Sequence, residues 1–194
     1  MEHWPSYLRG RVLEAFGRRD AAIAAYREAA RINPAFSSAV NRLAYLLAGL
    51  GRYEDAEEHF RRVLEAEPAN ATAHFNLGYT RQQLQRFEQA IESFREATRL
   101  KPGIDRAWYG MGMCQAHLGH HEQAVASFEE AARLQPMNPH AWYALGMAHH
   151  ATHNPDKLKR VVLHLVRFDP RMARRLIVES GSTDLAYLVK DLVA

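Results

Sequence analysis

Five prolines recur along this chain at a fixed interval of 34 residues, which restricts it to a repeat architecture. They are Pro34, Pro68, Pro102, Pro136 and Pro170. An alanine lies twelve residues before each of the first four prolines, and an aromatic residue lies eight before, namely Ala22, Ala56, Ala90, Ala124 and Tyr26, Phe60, Phe94, Phe128. An array of small modules builds an extended surface in place of one enclosed pocket, so this pattern favours a binding protein over an enzyme.

Each 34-residue unit contains two stretches in which small and apolar residues recur at helical spacing, as in residues 73–84 and 90–100. A glycine suited to the left-handed conformation ends the first stretch in three copies, at Gly17, Gly51 and Gly119. An acid favourable to a helix N-terminus begins the second stretch in every copy, at Asp20, Glu54, Glu88, Glu122 and Asp156. The sequence therefore predicts one helical hairpin per unit.

A column of small residues lies in the middle of each predicted first helix, at Gly10, Ala44, Gly78, Gly112 and Gly146. Glycine inside a helix costs roughly 1 kcal/mol relative to alanine, so close packing must offset it. We expect the two helices of a hairpin to approach closely at this column, with the aromatic residue of the second helix filling the space beside it.

These residues resemble the tetratricopeptide repeat. Trp142-x-x-Leu145-Gly146 matches the start of that motif, as does the segment from Trp108 to Gly112, and Ala90-x-x-x-Phe94-x-x-Ala97 with Pro102 matches its second half. The resemblance implies an all-α, right-handed superhelical solenoid of five helix-turn-helix repeats in one continuous domain. The predicted repeats span residues 3–36, 37–70, 71–104, 105–138 and 139–170, and C-terminal capping helices span 171–194.

Members of this family hold a peptide or helix of a partner protein in a groove lined by the first helices. If motif positions four, seven and eight pack inward, positions two, five and nine face that groove, because spacings of three and four share a helix face. The predicted groove residues are Asn41, Arg42, Tyr45, Phe75, Asn76, Tyr79, Arg106, Tyr109, Met113, Tyr143 and Met147. They predict an aromatic, sulfur-rich and mildly basic binding surface.

A purely structural explanation competes at the fifth position, where a family tyrosine such as Tyr109 or Tyr143 can simply shield the hairpin. The ninth position is more informative, because Tyr45, Tyr79, Met113 and Met147 form an apolar row where the family is usually polar. The carboxylate clamp of chaperone-binding members is disfavoured. Only Asn76 and Arg106 stand in its places, while Tyr45 and Gly110 replace required polar groups.

Two further features suggest alternative functions. Residues 157–175 hold seven bases and one acid, so the C-terminal end could bind RNA or an acidic partner, although the groove lacks polar base-reading side chains. Histidines cluster at His117, His120 and His121 and again at His149, His150 and His153, a pattern compatible with a Zn or Ni site. Most of them, however, lie where a helix ends, where histidine also suits the helix dipole.

Composition excludes several classes. Cys114 is the only cysteine, so no internal disulfide or cysteine metal cluster is expected, and no apolar run approaches the ~18 residues that span a bilayer. The first residues do not resemble a secretory signal, which predicts a cytoplasmic protein. With no nucleophile motif, phosphate loop or paired carboxylates in a plausible cleft, we expect neither an enzyme nor a cofactor.

The last segment is predicted to be an amphipathic helix capped by Ser182, with Leu185, Leu188, Val189, Leu192 and Val193 on one stripe. Repeat 5 carries Leu158, Val162 and Leu165 where the family has alanine and an aromatic residue, so its second helix should face something apolar. We expect the final helix to cover it as a cap. Alternatively, that helix docks into the groove of a second copy and makes a homo-oligomer.

Overall fold

The structure, a computed structural model, describes residues 3–190 as successive pairs of antiparallel helices. The first helices of the pairs are α1 (His3–Ala15), α3 (Ser37–Gly49), α5 (Ala71–Gln83), α7 (Asp105–His117) and α9 (Pro139–Ala151). The second helices are α2 (Arg19–Ile32), α4 (Tyr53–Ala66), α6 (Phe87–Leu100), α8 (His121–Leu134) and α10 (Pro155–Val166). Helix α11 (Pro170–Glu179) and a 3₁₀ helix (Thr183–Val189) follow.

Within this range there is no strand, so the predicted all-α class is confirmed. None of these helices is long and apolar enough to cross a membrane.

The turn inside each pair has the predicted left-handed residue. Gly17, Gly51 and Gly119 have φ of 71°, 76° and 78°. The other two repeats place a non-glycine residue there, Gln85 with φ of 58° and His153 with φ of 52°. The same reversal of the backbone therefore ends the first helix in all five pairs, with or without glycine.

The two helices of a pair approach most closely at the small column. A Cβ atom added to Gly78 would lie 2.7 Å from the nearest ring carbon of Phe94, and one added to Gly112 would lie 2.7 Å from the ring of Phe128. Gly10 faces Tyr26 in the same way. The predicted glycine–aromatic packing is confirmed in these three pairs, and in the second pair Ala44 and Phe60 share one core cluster.

The chain divides into two compact units, Met1–Lys101 and Pro102–Ala194. In the first unit, Tyr26, Phe60, Leu43 and Leu47 are large buried side chains of one core cluster. Leu77 joins the same cluster, so it runs through three successive pairs. The core of the second unit gathers α8, α9, α10, α11 and the 3₁₀ helix around Phe128, Leu145 and Leu165.

The fifth pair replaces the usual aromatic residue with a side chain from outside the pair. A Cβ atom at Gly146 would collide with Leu176 of α11, which occupies the position that Phe94 and Phe128 hold beside their glycines. Helix α11 is started by Asp169, whose Oδ1 accepts from the Met172 amide at 2.9 Å, and by Pro170 at its first position. The predicted departure of this repeat thus results from a third helix packing on α9.

The last described segment lies on the same core. Leu185 and Val189 are buried in one cluster with Leu158, Val162 and Leu165. The predictions of an α-helix and of a Ser182 cap are wrong. The segment is a seven-residue 3₁₀ helix, and the Ser182 hydroxyl accepts from the Ser180 hydroxyl at 3.0 Å instead of capping. Leu192 and Val193 lie outside the described residues, and the assignment of residues 171–194 as a cap stays a prediction.

We expect Gly78→Ala to lower the free energy of unfolding by about 1–3 kcal/mol, because the new methyl group overlaps the buried Phe94 ring. Gly49→Ala is the matched control. This glycine ends α3 with no atom within 4 Å of an added Cβ, so alanine should stabilise by roughly 0.5–1 kcal/mol. Urea denaturation followed by circular dichroism measures both, and equal effects of the two substitutions would contradict the packing.

Removal of residues 182–194 should lower the melting temperature and promote aggregation, because it exposes the cluster that contains Leu158 and Val162. Leu185→Ala should reproduce part of the loss, roughly 2 kcal/mol, whereas Tyr187→Ala should not, since Tyr187 is exposed. Calorimetry measures the melting temperature, and light scattering measures aggregation and oligomeric state. A shortened chain that stays stable and monomeric would rule out the cap, and a loss of dimer without a loss of stability would favour docking in a second copy.

Candidate functional site

The predicted groove residues lie on first helices in both compact units. In the first unit they are Asn41, Arg42 and Tyr45 on α3 and Phe75, Asn76 and Tyr79 on α5. In the second unit they are Arg106, Tyr109 and Met113 on α7 and Tyr143 and Met147 on α9. Helices α3 and α5 contact each other, so the residues of the first unit stand on neighbouring helices.

Three of the four ninth-position side chains are open to solvent. Tyr45, Tyr79 and Met113 are 56%, 44% and 40% exposed, while Met147 is half-buried against the core of the second unit. Partial burial raises the pKa of the Tyr79 hydroxyl, and the nearby Tyr53 hydroxyl raises it further. The Tyr79 side chain is therefore an uncharged aromatic group.

The fifth-position rings pack against the second helix of their own pair. The centroid of Phe75 lies 6.1 Å from that of Phe94, and Tyr109 lies 5.7 Å from Phe128. Burial also raises the pKa of the Tyr109 hydroxyl. These contacts match the structural explanation, in which the fifth residue shields the hairpin.

Asn41 breaks this pattern, because it places an amide at the fifth position of the second pair. The side chain is half-buried, and its Oδ1 atom is buried without a hydrogen-bond partner among the described residues. An unsatisfied buried acceptor costs on the order of 1–3 kcal/mol. Asn41 lies one turn before Tyr45, so the two share a face of α3.

Tyr143 is held by α11. Its hydroxyl donates to the Glu179 carboxylate, and the Arg175 guanidinium lies 4.9 Å from the centre of its ring. Arg175 also donates from Nε to Glu179 at 2.7 Å. Partial burial and the bond to Glu179 raise the pKa of Tyr143, while the bonds from Tyr143 and Arg175 lower that of Glu179. This side chain already has its partners within the second unit.

The cationic groove residue of α3 is also engaged. Arg42 lies 3.3 Å from the Glu14 carboxylate, which accepts from the Tyr26 hydroxyl at 2.6 Å. The remaining charged member, Arg106, is exposed on α7. Among the predicted groove residues of the first unit, Tyr45 and Tyr79 therefore present the most accessible surface.

Sequence analysis missed a charged cluster between the second and third pairs. Glu57 is buried and accepts from Arg81 Nε at 2.8 Å and from Arg86. Arg81 also donates to the Ser93 hydroxyl at 2.9 Å. Glu57, Arg81 and Arg86 line an open pocket of about 610 Å³ together with Glu54, Glu58, Arg61 and Gln89. Since three glutamates face three arginines there, the pocket has no excess charge for an ionic ligand.

The position of Glu57 could have revealed this cluster. The residues 34 positions before and after it, Ile23 and Ile91, are apolar and buried, as expected of a core column. A glutamate in that column requires a cationic partner. The partner could not be assigned, because Arg81 and Arg86 are distant in sequence.

Two histidines of the second cluster, His149 and His153, have structural roles. His149 is buried, which lowers the pKa of its imidazole, and His153 is the left-handed residue that ends α9. In the described range, no three His, Cys, Asp or Glu side chains are grouped so that they could hold a metal ion. Cys114 is buried too, and burial raises the pKa of its thiol to about 12.

Comparison with protein families gives matches to the tetratricopeptide repeat over most of the chain. Models of this repeat match residues 6–36, 41–103 and 77–131, and a further model described as TPR repeat matches 116–152. Comparison with curated protein sequences gives no significant match.

Solved structures of similar fold cover nearly the whole chain. YrrB, described as a TPR protein with an unusual peptide-binding site, is 20% identical with a TM-score of 0.80, over 92% of this chain and 91% of its own. A MamA fragment from Desulfovibrio magneticus is 19% identical with a TM-score of 0.77, over 91% and 96%. A thermophilic TPR protein from Thermus thermophilus, TTC0263, is 24% identical with a TM-score of 0.61, over 94% and 99%. These likenesses confirm the predicted solenoid class.

Glu57→Gln should lower the free energy of unfolding by about 3 kcal/mol, because it leaves Arg81, only 18% exposed at its side chain, without its anionic partner. The neighbouring Glu58→Gln is the matched control, since Glu58 is exposed and should change stability by less than ~0.5 kcal/mol. Urea unfolding of the two variants provides the measurement. Indistinguishable stabilities would show that the cluster contributes nothing.

Proposed function

Because this chain belongs to the tetratricopeptide repeat family, we propose that it is a non-catalytic scaffold that binds a peptide segment or helix of a partner protein on its first helices. The family fold supports a protein–protein interaction scaffold, and an extended array of hairpins suits such a ligand. The predicted cytoplasmic location stays a prediction.

One observation carries the proposal, the exposure of Tyr45 and Tyr79 on neighbouring helices of the first unit. They occupy equivalent positions 34 residues apart, on the first helices of two neighbouring repeats. Tyrosine offers a large apolar surface with a polar end and loses little conformational entropy on binding. Met113 occupies the same position in the second unit and is also exposed. Methionine suits adaptable recognition of apolar side chains.

Asn41 suggests how the ligand would be oriented. Its unpartnered Oδ1 can accept a main-chain N–H of a bound segment once the side chain turns toward Tyr45. A ligand that offers a free main-chain N–H to Asn41 is an extended segment and not a helix, whose amides are already bonded. That one neighbour of similar fold, YrrB, is described as having a peptide-binding site agrees with this ligand class.

The predicted groove residues divide into two groups under this proposal. In the first unit, Tyr45, Tyr79 and Asn41 contact the ligand, with Asn76 beside them. In the second unit, considered by itself, Met113 and Arg106 offer exposed side chains on α7. Phe75, Tyr109, Arg42, Tyr143 and Met147 support the surface, because each packs on or bonds to its own unit.

A second candidate is the binding of an acidic segment or RNA at the C-terminal end. Lys157, Lys159, Arg160, Arg167, Arg171 and Arg174 are exposed, and among the described residues none forms an ion pair. Affinity of this kind would fall steeply with salt. This second function would be identified by binding that is lost between low and moderate ionic strength. Such binding should be unchanged in the Tyr45→Ala, Tyr79→Ala variant.

Replacing both tyrosines, in a Tyr45→Ala, Tyr79→Ala variant, should reduce recovery of the specific partner at least tenfold, because buried interface tyrosines contribute roughly 1–2 kcal/mol each. The matched control is Val178→Ala, Tyr187→Ala, which removes two exposed apolar side chains from α11 and the 3₁₀ helix. Quantitative pull-down with the full chain as bait compares them. The proposal fails if the tyrosine variant and the control recover the same proteins in the same amounts.

A further inference from the structure

The ninth position of α1, α3 and α5 is occupied by Arg11, Tyr45 and Tyr79. These residues lie 34 positions apart, and all three are exposed. Tyr45 and Tyr79 are exposed although other hairpins precede them, so the exposure of this position belongs to the repeat and does not depend on a chain end. The first unit therefore presents one cation and two rings at equivalent positions of successive first helices.

The packing of the first helices sets the distance between such equivalent residues. Helices α3 and α5 run in the same direction, because the antiparallel α4 lies between them in the chain, and they contact each other. The axes of helices in contact are about 8–10 Å apart, so equivalent side chains are displaced by a step of that size. A ligand that crosses both helices and contacts Tyr45 and Tyr79 must offer side chains on one face at this interval.

The two common extended conformations differ in that interval. In a β-strand, neighbouring side chains on one face are about 6.7 Å apart, and the next along that face is about 13 Å away. A polyproline II helix has three residues per turn, so every third side chain returns to the same face after about 9.3 Å. Of these two conformations, only polyproline II matches the step from α3 to α5.

The hydrogen-bonding groups of the site suit the same conformation. A bound strand satisfies its backbone by joining the edge of a sheet, and residues 3–190 contain no strand that could provide such an edge. Polyproline II has no internal hydrogen bonds and keeps its backbone in water. One of its free N–H groups can donate to the buried, unpartnered Oδ1 of Asn41, while the others remain solvated. The ligand residue bonded to Asn41 is then not a proline, because proline lacks the N–H.

The tyrosine side chains fit such a ligand as well. Proline-rich segments dock in aromatic-lined grooves, because the preformed polyproline II helix loses little conformational entropy on binding. Tyr45 and Tyr79 are 56% and 44% exposed, so both rings offer surface to proline or leucine side chains.

Charge beside α1 indicates one further ligand residue. The Glu14 carboxylate accepts from Arg42 at 3.3 Å and from the Tyr26 hydroxyl at 2.6 Å. Arg11 donates to the Tyr7 hydroxyl at 3.5 Å and lies within electrostatic range of Glu14. Two arginines and one glutamate leave an excess of one positive charge, which is complementary to an acidic side chain of the ligand.

We propose that the tyrosine site of the first unit selects a proline-rich segment in the polyproline II conformation. Its apolar side chains, three residues apart, contact Tyr45 and Tyr79, and an acidic residue three positions further along reaches Arg11. This inference rests on the function proposed above and specifies the ligand of that same site.

Two labelled peptides of equal composition test the spacing. The peptide DPALPALPA has leucines three residues apart and an acid three residues before the first leucine, and its prolines hold the preceding residues in the extended region. The peptide DPLALPAPA contains the same residues with leucines two apart, as on one face of a strand. Since the spacing fixes no chain direction, the reversed peptide APLAPLAPD is included. Each peptide is titrated against the full chain by fluorescence anisotropy.

We expect DPALPALPA or its reverse to bind saturably, and DPLALPAPA to bind at least tenfold more weakly. Tyr45→Ala, Tyr79→Ala should weaken the binding at least tenfold, and Arg11→Glu should weaken it severalfold. Changing the aspartate of the bound peptide to lysine should restore binding to Arg11→Glu, which also shows that this variant is folded. Arg9→Glu is the matched control, because Arg9 is exposed on α1 but two residues from Arg11, and thus on another face.

Stronger or equal binding of DPLALPAPA, or no saturable binding of either peptide with three-residue spacing up to about 1 mM, would overturn the polyproline II ligand. Equal binding by Arg11→Glu would overturn its acidic residue. If the pull-down nevertheless depends on Tyr45 and Tyr79, the proposed function stands with a ligand of another conformation. If the tyrosine variant binds the peptides and recovers partners as the wild type does, the proposed function and this inference both fail.

Discussion

The close contact between a small residue of the first helix and a large side chain of a neighbouring helix determines how the repeats of this protein pack. At Gly78 and Gly112 the facing ring lies so close that even one methyl group would not fit. The helix pays about 1 kcal/mol in propensity for each such glycine, and close packing of a buried aromatic ring more than offsets it. Because the contact fixes the distance and the rotation of the two helices, it also fixes which faces of the first helix remain outside.

Two faces of the first helices differ in exposure. The face that carries Tyr45 and Tyr79 is exposed in two successive repeats. The face that carries Leu46 and Thr80 is buried in the same two repeats. The same helix geometry therefore leaves one side of these first helices open to solvent and uses another side for packing between hairpins.

The period, the turns and the glycine contact could be predicted from sequence because all three depend on residues within about thirty positions, repeated several times. For contacts without repetition, the partners could not be predicted. The apolar column around Glu57 indicates that this residue needs a cationic partner, but nothing in the local pattern specifies Arg81 and Arg86. The pairing of Tyr143 with Glu179 also occurs in no other repeat of the described chain. The end of the chain shows the same limit. Leu185 and Val189 were correctly placed on one stripe, but a stripe alone does not distinguish an α-helix from a 3₁₀ helix.

The packing of Leu176 against Gly146 limits where this array of repeats can gain a further repeat. A whole 34-residue module inserted at the turn around Ala35 would meet neighbours of the kind that every internal hairpin meets, since each module carries its own small residue and large ring. A module appended after α10 would instead have to displace α11, and with it the side chain that completes the last hairpin. Growth by internal duplication is thus open to this protein, whereas growth at its C-terminal end requires that the existing end be rebuilt.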